Sequence, residues 1–459
     1  MPARSVIASL RGYYLRSWRY DRCTAEFTEQ ALAREHWNEE RWKCWREERL
    51  GIVLHRAATR VPYYREYWSA RRRQGDNASW EYLENWPILD KASVRNNPKA
   101  FVADDCNVKR MFHEHTSGTT GKPLNLWWSA ETVRSWYALV EARCRLWHGV
   151  SRHDRWAIMG GQLVAPVSQR QPPFWVWNQG LNQLYMSSYH LAPDLMGSYV
   201  DALIRYRVKY IHGYTSSLYE LARAIISSGQ KDLKMTVALT NAEPVYDYQR
   251  ATISQAFNCP LRESYGMAEI VTTASECQLG QMHLWPEVGT VEVLEDGEPV
   301  AVGESGSLVC TGLLNIDMPL IRYRTGDRGA LSSETEPCPC GRSMPMLGRI
   351  EGREDDVLWT ADGRRIGRLD PIFKDDLPIQ EAQIVQEALD RIKIRYVPHP
   401  GFSPSHEDDI ARRLQSRMGQ MHVVFEKLNS IPRERNGKFR AVVNTLSAQT
   451  LESLSVRAH

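Results

Sequence analysis

The stretch that decides the fold class is Val208–Phe257, which reads VKYIHGYTSSLYELARAIISSGQKDLKMTVALTNAEPVYDYQRATISQAF. In it, the apolar runs VKYIHG and MTVALT are each followed by a segment whose apolar residues have helical spacing. An earlier run, WAIMGG at Trp156–Gly161, continues the alternation. Strands that alternate with helices predict a parallel sheet covered by helices, and ligands of such sheets bind at the carboxyl ends of the strands.

The sequence after this stretch changes character twice. Gln281–Leu331 consists of short β-rich runs with Gly turns, which predict an antiparallel or barrel-like subdomain. The charge-rich segment GRIEGREDD then precedes a region of mixed strand and helix. We therefore predict an α/β fold with a large N-terminal domain at 1–354, containing parallel-sheet and β-barrel-like subdomains, and a small α+β C-terminal domain at 355–459.

The sequence before it predicts mainly helices. Ala25–Arg60 has apolar residues at helical spacing until Pro62 interrupts the pattern, and Asp90 is placed to cap a further helix. In the first twenty residues, Val6, Leu10 and other apolar side chains share one helical face beside several arginines. That face suits either docking onto the protein or contact with a membrane surface.

Composition limits the function classes. The 459 residues are 42% hydrophobic and 25% charged, as in globular proteins, and at roughly 100–200 residues per domain they predict two to four domains. A formal charge of only +3 argues against nucleic-acid partners. No run reaches the roughly 20 apolar residues of a membrane span, so we expect a cytoplasmic protein without an integral membrane span. Its nine cysteines are then expected to be reduced.

The segment HTSGTTGKP, His115–Pro123, has the composition of a phosphate-binding loop. Its small residues let backbone N–H groups approach phosphate oxygens, and Lys122 adds a positive charge. It is not the P-loop of GTPases, because only two residues separate Gly118 from Gly121 and Pro123 follows the lysine. Taken alone, the segment is equally compatible with a flexible turn.

Four further motifs follow it in order, namely Asn241-Ala242-Glu243-Pro244, Tyr265-Gly266-Met267-Ala268-Glu269, Arg322-Tyr323-Arg324-Thr325-Gly326-Asp327 and Asn436-Gly437-Lys438. Together the five motifs resemble those of the adenylate-forming superfamily of acyl-CoA synthetases, luciferases and adenylation domains. The phenylacetate-CoA ligase-like branch, with its capsular-polysaccharide relatives, is the most similar. The resemblance spans roughly residues 62–444.

The resemblance implies a role for each motif. It implies ATP or AMP contacts for Thr116, Ser117, Gly118, Thr119, Thr120, Gly121, Asn241, Ala242, Glu243, Tyr265, Gly266, Asp327 and Arg353. It implies catalytic roles for Lys122, Glu269 and Lys438, with Glu269 as the Mg²⁺ carboxylate, and a hinge at Asp355 that makes the small domain a mobile lid. Read without the resemblance, these are ordinary turn or surface residues.

The implied activity is ATP-dependent activation of a small-molecule carboxylic acid to an acyl adenylate, followed by transfer to coenzyme A. Two alternatives stay open at this point. The acyl group is passed to an amine or hydroxyl in polysaccharide or secondary-metabolite assembly, or the chain binds nucleotide without turnover. The acceptor is open because VLWTADGRRIGRLDP, which carries Arg364, Arg365 and Arg368, departs from the Gly-containing stretch of the coenzyme A ligases. Those arginines suit coenzyme A phosphates or are solvated turn residues.

Two further sets of residues are candidates for binding. Cys277-x5-His283 with Cys338-x-Cys340 offers three thiolates and one imidazole, which suit a structural tetrahedral zinc site, although buried thiols without metal are the alternative. By position, Gly160, His212 and Tyr214 lie near strand ends that face the substrate pocket, but His212 is also compatible with a satisfied core histidine. A homodimer is also left open.

Overall fold

The structure is a computed structural model that describes residues 3–115, 124–162, 164–166, 169–191, 195–230, 233–333, 337–353, 358–360, 365–366, 370–373, 377–433, 439–447 and 450. The chain divides into two compact units. The first comprises Met1–Thr325 and Ala330–Arg349, and the second Gly326–Gly329 and Ile350–His459. The first unit thus ends five residues before the boundary predicted after residue 354, which stays a prediction.

Across the described ranges the α-helices are α1 (Ala3–Arg19), α2 (Arg22–Arg34), α3 (Glu39–Arg60), α4 (Pro62–Arg73), α5 (Lys91–Asn96), α6 (Ala130–Val140), α7 (Met196–Arg205), α8 (Thr215–Ser227), α9 (Asp247–Phe257) and α10 (Pro404–Met418). None of these described helices is long and apolar enough to cross a bilayer.

Local sequence explains the boundaries of the early helices. The predicted helical stretch is confirmed as α2 and α3, and the Asp21 side chain accepts a hydrogen bond from Thr24 N to begin α2. Pro62 is the first residue of α4, where its missing N–H costs nothing. α5 begins directly after Asp90 as predicted, but the Asp90 side chain makes no capping hydrogen bond and instead pairs with Arg324 at 3.3 Å. The Asp90 carboxylate is thus directed at a guanidinium and not at the backbone N–H groups of α5.

The strands in the described ranges are β1 (Phe112–His115), β2 (Asn125–Trp128), β3 (Trp156–Gly160), β4 (Trp175–Asn178), β5 (Gln183–Ser187), β6 (Tyr210–Tyr214), β7 (Val237–Asn241), β8 (Leu261–Gly266), β9 (Thr273–Glu276), β10 (Met282–Leu284), β11 (Gly289–Glu295), β12 (Glu298–Pro299), β13 (Gly306–Gly312), β14 (Tyr323–Leu331), β15 (Leu347–Arg353), β16 (Leu358–Trp359), β17 (Arg365–Ile366), β18 (Ile379–Ala388), β19 (Arg391–Pro398), β20 (His422–Lys427) and β21 (Val442–Asn444).

An eight-stranded sheet organises the first unit, with the order β10-β9-β8-β7-β6-β3-β5-β4. Its five central strands, β8 to β5 in that order, are parallel, whereas β4, β9 and β10 pair antiparallel. The predicted strand and helix alternation is confirmed, because β3, β6 and β7 occupy the three apolar runs, and α8 and α9 occupy the segments that follow β6 and β7. The carboxyl ends of the parallel strands therefore meet along one edge.

Each face of this sheet has its own core. On one face, Ile211 and Ala238 pack with apolar side chains of α7, α8 and α9. On the other, Trp156, Tyr210 and Leu239 form a smaller cluster. Since side chains alternate along a strand, His212 and Tyr214 lie on the same face of β6 as Tyr210.

Two larger sheets, together with the two-stranded pairs β1-β2 and β16-β17, complete the mixed α/β architecture that the sequence predicts. A five-stranded sheet has the order β12-β11-β13-β14-β15, with β11 antiparallel to both β12 and β13, which agrees with the antiparallel subdomain expected over Gln281–Leu331. In the second unit a four-stranded sheet has the order β20-β19-β18-β21. Its core joins Ile384, Ile392 and Ile394 of this sheet to Ile410 and Leu414 of α10.

Candidate active site and metal centre

The ends of β6, β7 and β8 bring three predicted site residues side by side. Tyr214, the last residue of β6, is paired with Asn241, the last residue of β7. Asn241 is paired in turn with Ser264 of β8, and Tyr265 and Gly266 follow directly along that strand. The structure therefore places Tyr214, Asn241 and Tyr265 at one carboxyl edge, where parallel sheets bind ligands.

The turn after Asn241 has an unusual backbone. Ala242 has a φ of +64°, a left-handed conformation that costs a residue with a Cβ about 1–2 kcal/mol. The next side chain holds the turn in place, because the Glu243 carboxylate accepts hydrogen bonds from Ser216 N at 2.8 Å and Ser216 Oγ at 3.1 Å. Glu243 thus caps the start of α8, whose preceding residue makes no side-chain cap. Strained backbone of this kind is concentrated at functional sites.

Glu269 is a buried carboxylate that two distant chain segments hold in place. Its side chain is 4% exposed, and its Oε1 accepts hydrogen bonds from Lys91 Nζ at 2.8 Å and Tyr323 OH at 2.9 Å. Backbone hydrogen bonds of Leu89 with Arg322 and Arg324 fix α5 against β14. A carboxylate offers about four lone-pair sites, so Glu269 keeps acceptor capacity for a cation.

Sequence reasoning missed Lys91. It lies at the first position of a short helix and belongs to none of the nucleotide motifs. The sequence around it therefore does not indicate that it contacts Glu269, a residue 178 positions away. Only the position of α5 beside the strand that carries Tyr323 reveals the contact.

The other predicted nucleotide contacts fall into two groups. Asp327 lies half-buried on β14 and Arg353 ends β15, both in the second unit, and the side chain of Arg353 is outside the described atoms. The residues outside the described ranges are Thr116, Ser117, Gly118, Thr119, Thr120, Gly121, Lys122, Asp355, Arg364, Arg368 and Lys438. Their predicted roles stay predictions.

Tyr185 and Tyr189 contact the chain at the end of β3, where the sequence predicts the substrate pocket. A Cβ at Gly160 would lie 2.9 Å from Tyr185 OH, so a larger residue there would displace the phenol. Tyr185 OH accepts a hydrogen bond from Gln162 N at 3.3 Å, and Tyr189 OH donates one to Gly161 O at 2.8 Å. Burial raises the pKa of Tyr185 to about 12, which leaves a neutral phenol at physiological pH. The sequence did not single out Tyr185, because β5 carries no motif.

His212 differs from a satisfied core histidine. It is half-buried on β6, and its Nε2 is buried with no hydrogen-bond partner in the described part of the chain. Burial and, secondarily, the positive charge of Arg145 lower the pKa of His212 to about 4. The ring is therefore neutral near pH 7 and offers an unpaired nitrogen to a polar ligand atom.

Cys277, His283, Cys338 and Cys340 form a compact cluster in the first unit. One ligand atom from each lies within 4.8 Å of all the others. Cys277 Sγ is 3.9 Å from Cys338 Sγ, and Cys340 Sγ is 3.4 Å from His283 Nε2. Tetrahedral zinc with Zn–S of 2.3 Å would put two sulfurs ~3.8 Å apart and a sulfur and a nitrogen ~3.5 Å apart. Among the described residues, which include all nine cysteines, there is no disulfide.

Local structure orients these four ligands. Cys277 and His283 flank the β9–β10 turn, and Gly341, with a φ of +83°, closes the tight turn that carries Cys338 and Cys340. His283 Nδ1 donates to Met344 O at 3.4 Å, which leaves the lone pair of Nε2 for a metal. Burial raises the pKa of Cys340, but hydrogen bonds from the backbone and guanidinium of Arg342 lower it by more. The donor set and its spacing fit zinc.

Comparison with known proteins shows which sequences and which solved structures this chain is similar to. Residues 358–445 match the family described as the CapK C-terminal domain. The chain is 25% identical over 393 residues to CapK of Staphylococcus aureus, covering 84% of this chain and 85% of that protein. It is 28% identical over 334 residues to phenylacetate-coenzyme A ligase of Pseudomonas putida, covering 68% and 70%. A solved 2-hydroxyisobutyryl-CoA ligase in complex with 2-HIB-AMP shares the fold, with a TM-score of 0.68, 19% identity and coverage of 92% and 93%.

Proposed function

From the homology of this chain to CapK and the phenylacetate-CoA ligases, we propose that it activates a carboxylic acid with ATP and then transfers the acyl group to coenzyme A. In the first step a carboxylate oxygen attacks the α-phosphorus of ATP, the bond to the bridging oxygen breaks, and pyrophosphate leaves. In the second step the thiol of coenzyme A loses its proton, its sulfur attacks the acyl carbon, and AMP leaves with the electrons of the broken C–O bond.

The observation that carries this proposal is the environment of Glu269. A nearly buried carboxylate at the carboxyl edge of a parallel sheet, anchored through one oxygen by Lys91 and Tyr323, is a ligand with little freedom to move. Mg²⁺ prefers few carboxylates together with phosphate oxygens, so Glu269 fits as its protein ligand. When bound there, Mg²⁺ would offset the negative charge that develops on the phosphates.

The nucleotide would lie along the same edge. Tyr265 offers a ring face for adenine, and the backbone of Asn241, Ala242 and Glu243 is set by the left-handed turn to meet the base edge. The remaining contacts are assigned by the family resemblance alone. They are the loop 116–121, Gly266, Lys122 and Lys438 for phosphate charge, Asp327 and Arg353 for ribose, and a hinge at Asp355 between the domains 1–354 and 355–459.

The acid would lie against Gly160, Tyr185, His212 and Tyr214. Burial raises the pKa of Tyr214 as it does that of Tyr185, so this wall consists of uncharged groups that can form hydrogen bonds. Such a wall favours an acid with hydroxyl, amide or keto groups over a plain alkyl chain, since unpaired buried polar groups are costly.

A second function is favoured by the stretch VLWTADGRRIGRLDP, which departs from the Gly-containing stretch of the coenzyme A ligases. In this version the adenylate forms identically, but an amine or hydroxyl attacks the acyl carbon in place of the thiol. The Cys277, His283, Cys338 and Cys340 cluster holds a structural zinc ion in both versions. Since four protein ligands would fill its sphere, the metal takes no part in the chemistry.

The test is acid-dependent exchange of pyrophosphate into ATP across a panel of polar and apolar carboxylic acids. We expect exchange with at least one acid and a loss of about 10²–10³-fold in Glu269→Gln. Glu298→Gln, at an exposed position on β12, is the matched control. With an active acid, formation of acyl-CoA supports the first version, and trapping by hydroxylamine without acyl-CoA supports the second. Nucleotide binding without exchange for any acid would leave a non-catalytic nucleotide-binding protein.

A further inference from the structure

Helix α1 docks with its polar side and exposes its apolar side. The residues it buries are Ser5, Ser9 and Gly12. The exposed large apolar residues are Val6, Ile7, Leu10, Tyr13 and Tyr14, of which Ile7 and Leu10 are 67% and 66% exposed. At 100° per residue these five side chains form one stripe, which we call the outer stripe. The sequence pattern identified the apolar face of α1 correctly, but the polar face is the one that packs against the protein.

The polar side docks on the end of the eight-stranded sheet. Ser5 Oγ accepts a hydrogen bond from Trp177 N at 3.2 Å, and Ser9 Oγ accepts one from Gln179 N at 3.1 Å. Ser9 Oγ also lies 3.4 Å from Trp177 O. Among the described strands β4 is the outermost of this sheet, and the two serines satisfy backbone groups of β4 and of Gln179 directly after it. This docking fixes the direction in which the outer stripe points.

Close backbone contact reinforces that direction. A Cβ at Gly12 would lie 1.8 Å from Asn178 Oδ1, and a Cβ at Gly180 would lie 2.4 Å from Tyr13 N. The helix therefore cannot rotate its larger apolar residues inward without losing this contact. The outer stripe is a fixed surface of the folded protein.

The charges of α1 indicate what covers the stripe. Residues 3–20 contain Arg4, Arg11, Arg16 and Arg19 and no Asp or Glu. Arg4 and Arg11 are exposed and lie along one border of the stripe, and Arg4 Nη1 reaches Gln169 Oε1 at 2.7 Å. We propose that the outer stripe binds the surface of an anionic lipid bilayer, with the apolar side chains below the headgroups and the arginines against the phosphates.

A second copy of the chain suits this face less well. In a two-fold contact the same patch meets itself, so Arg4 and Arg11 of one α1 would face the same two arginines of its partner with no carboxylate from either helix. Anionic lipids supply the opposite charge over the whole patch. The two tyrosines have the amphipathic rings that are enriched at the membrane–water boundary.

The test is co-flotation of the full-length protein with vesicles of phosphatidylcholine alone or with about 30% phosphatidylglycerol, at about 0.1 M salt. We expect binding to the anionic vesicles only. The double variant Ile7→Glu/Leu10→Glu should reduce the partition coefficient by about tenfold or more, and Arg4→Gln/Arg11→Gln by a similar factor. Val302→Glu, at a residue that is 69% exposed elsewhere in the first unit, is the control and should bind like the wild type.

Three results would overturn the proposal. They are no binding of the wild type to anionic vesicles, binding that both double variants retain, and a dimer in sedimentation velocity that Ile7→Glu/Leu10→Glu converts to monomer without vesicles. Thermal unfolding shows whether each variant is folded. If Ile7→Glu/Leu10→Glu unfolds, the arginine variant decides, because the exposed Arg4 and Arg11 lie outside the buried docking face.

Discussion

Lys91 Nζ lies 2.8 Å from Oε1 of Glu269, and the same oxygen accepts the hydroxyl of Tyr323. The ion pair is asymmetric, because the carboxylate is almost fully buried whereas the ammonium is about one-quarter exposed. Among the described residues, removing the lysine would leave the buried carboxylate with Tyr323 as its one donor, whereas removing the carboxylate would leave a lysine that water can reach. Loss of the pair is therefore more costly for the buried carboxylate of Glu269 than for the ammonium group of Lys91.

The first prediction concerns this pair. In a double-mutant cycle of Lys91→Met and Glu269→Gln we expect a coupling of about 1–3 kcal/mol in the free energy of unfolding, measured with urea. The more exposed pair of Lys209 and Asp154 is the control, with an expected coupling below about 1 kcal/mol. Equal couplings for the two pairs would show that burial does not strengthen the contact with Glu269.

The second prediction concerns the metal centre. Protein purified without chelator should contain one zinc ion per chain, and Cys338→Ser should lose it and lower Tm by about 5 °C or more, because metal binding adds to folding free energy. Cys259→Ser removes another buried thiol outside the cluster and should keep the zinc. Elemental analysis that finds no metal in the wild type would refute the assignment.

The third prediction concerns pH. His212 has a pKa of about 4 when folded, because of burial and then Arg145, against about 6.5 when unfolded. As pH falls from 6.5 to 4 the unfolded chain binds the proton first, so stability that is complete above pH 6.5 declines, by at most about 3 kcal/mol. Urea unfolding at several pH values should give a shallower decline for His212→Gln. His153→Gln, which removes an exposed imidazole, is the control, and identical slopes for all three proteins would contradict the expectation.

The fourth prediction concerns the docking of α1. Gly180→Ala places a Cβ 2.4 Å from Tyr13 N and should destabilise the docked helix by about 1–3 kcal/mol. Hydrogen exchange at Trp177 N and Gln179 N should accelerate, since these amides donate to Ser5 and Ser9. Gly51→Ala, in α3 with open space around the new Cβ, should leave both amides unchanged and stabilise by up to about 1 kcal/mol. Unchanged exchange in Gly180→Ala would mean that the helix accommodates the methyl group.

The sequence was sufficient to predict the strands, helices and residue clusters that depend on local patterns. Apolar periodicity located β3, β6, β7, α8 and α9, and their order implied that Tyr214 and Asn241 end neighbouring strands. The spacing of Cys277, His283, Cys338 and Cys340 was enough to suggest one cluster, since two tight turns bring each pair together.

Contacts between distant segments could not be predicted in this way. The role of Lys91 depends on a strand 232 positions later, and the capping of α8 by Glu243 depends on the strained turn after β7. The face of α1 that docks is decided by the fit of Gly12 against Gly180, a contact that hydrophobicity does not encode.

The two edge strands of the eight-stranded sheet, β4 and β10, are each covered by a chain segment that is not part of the sheet. At β4 the serine hydroxyls of α1 occupy the backbone groups, and at β10 the chain that carries the cysteine turn does so, through Leu284 N with Pro345 O and the bridge between His283 and Met346. An open edge is a template on which another chain can add a strand. Helix α1 and the Cys/His cluster therefore also cover the two edges on which another chain could add a strand, and we expect release of α1 or disruption of the cluster to promote aggregation before the core unfolds.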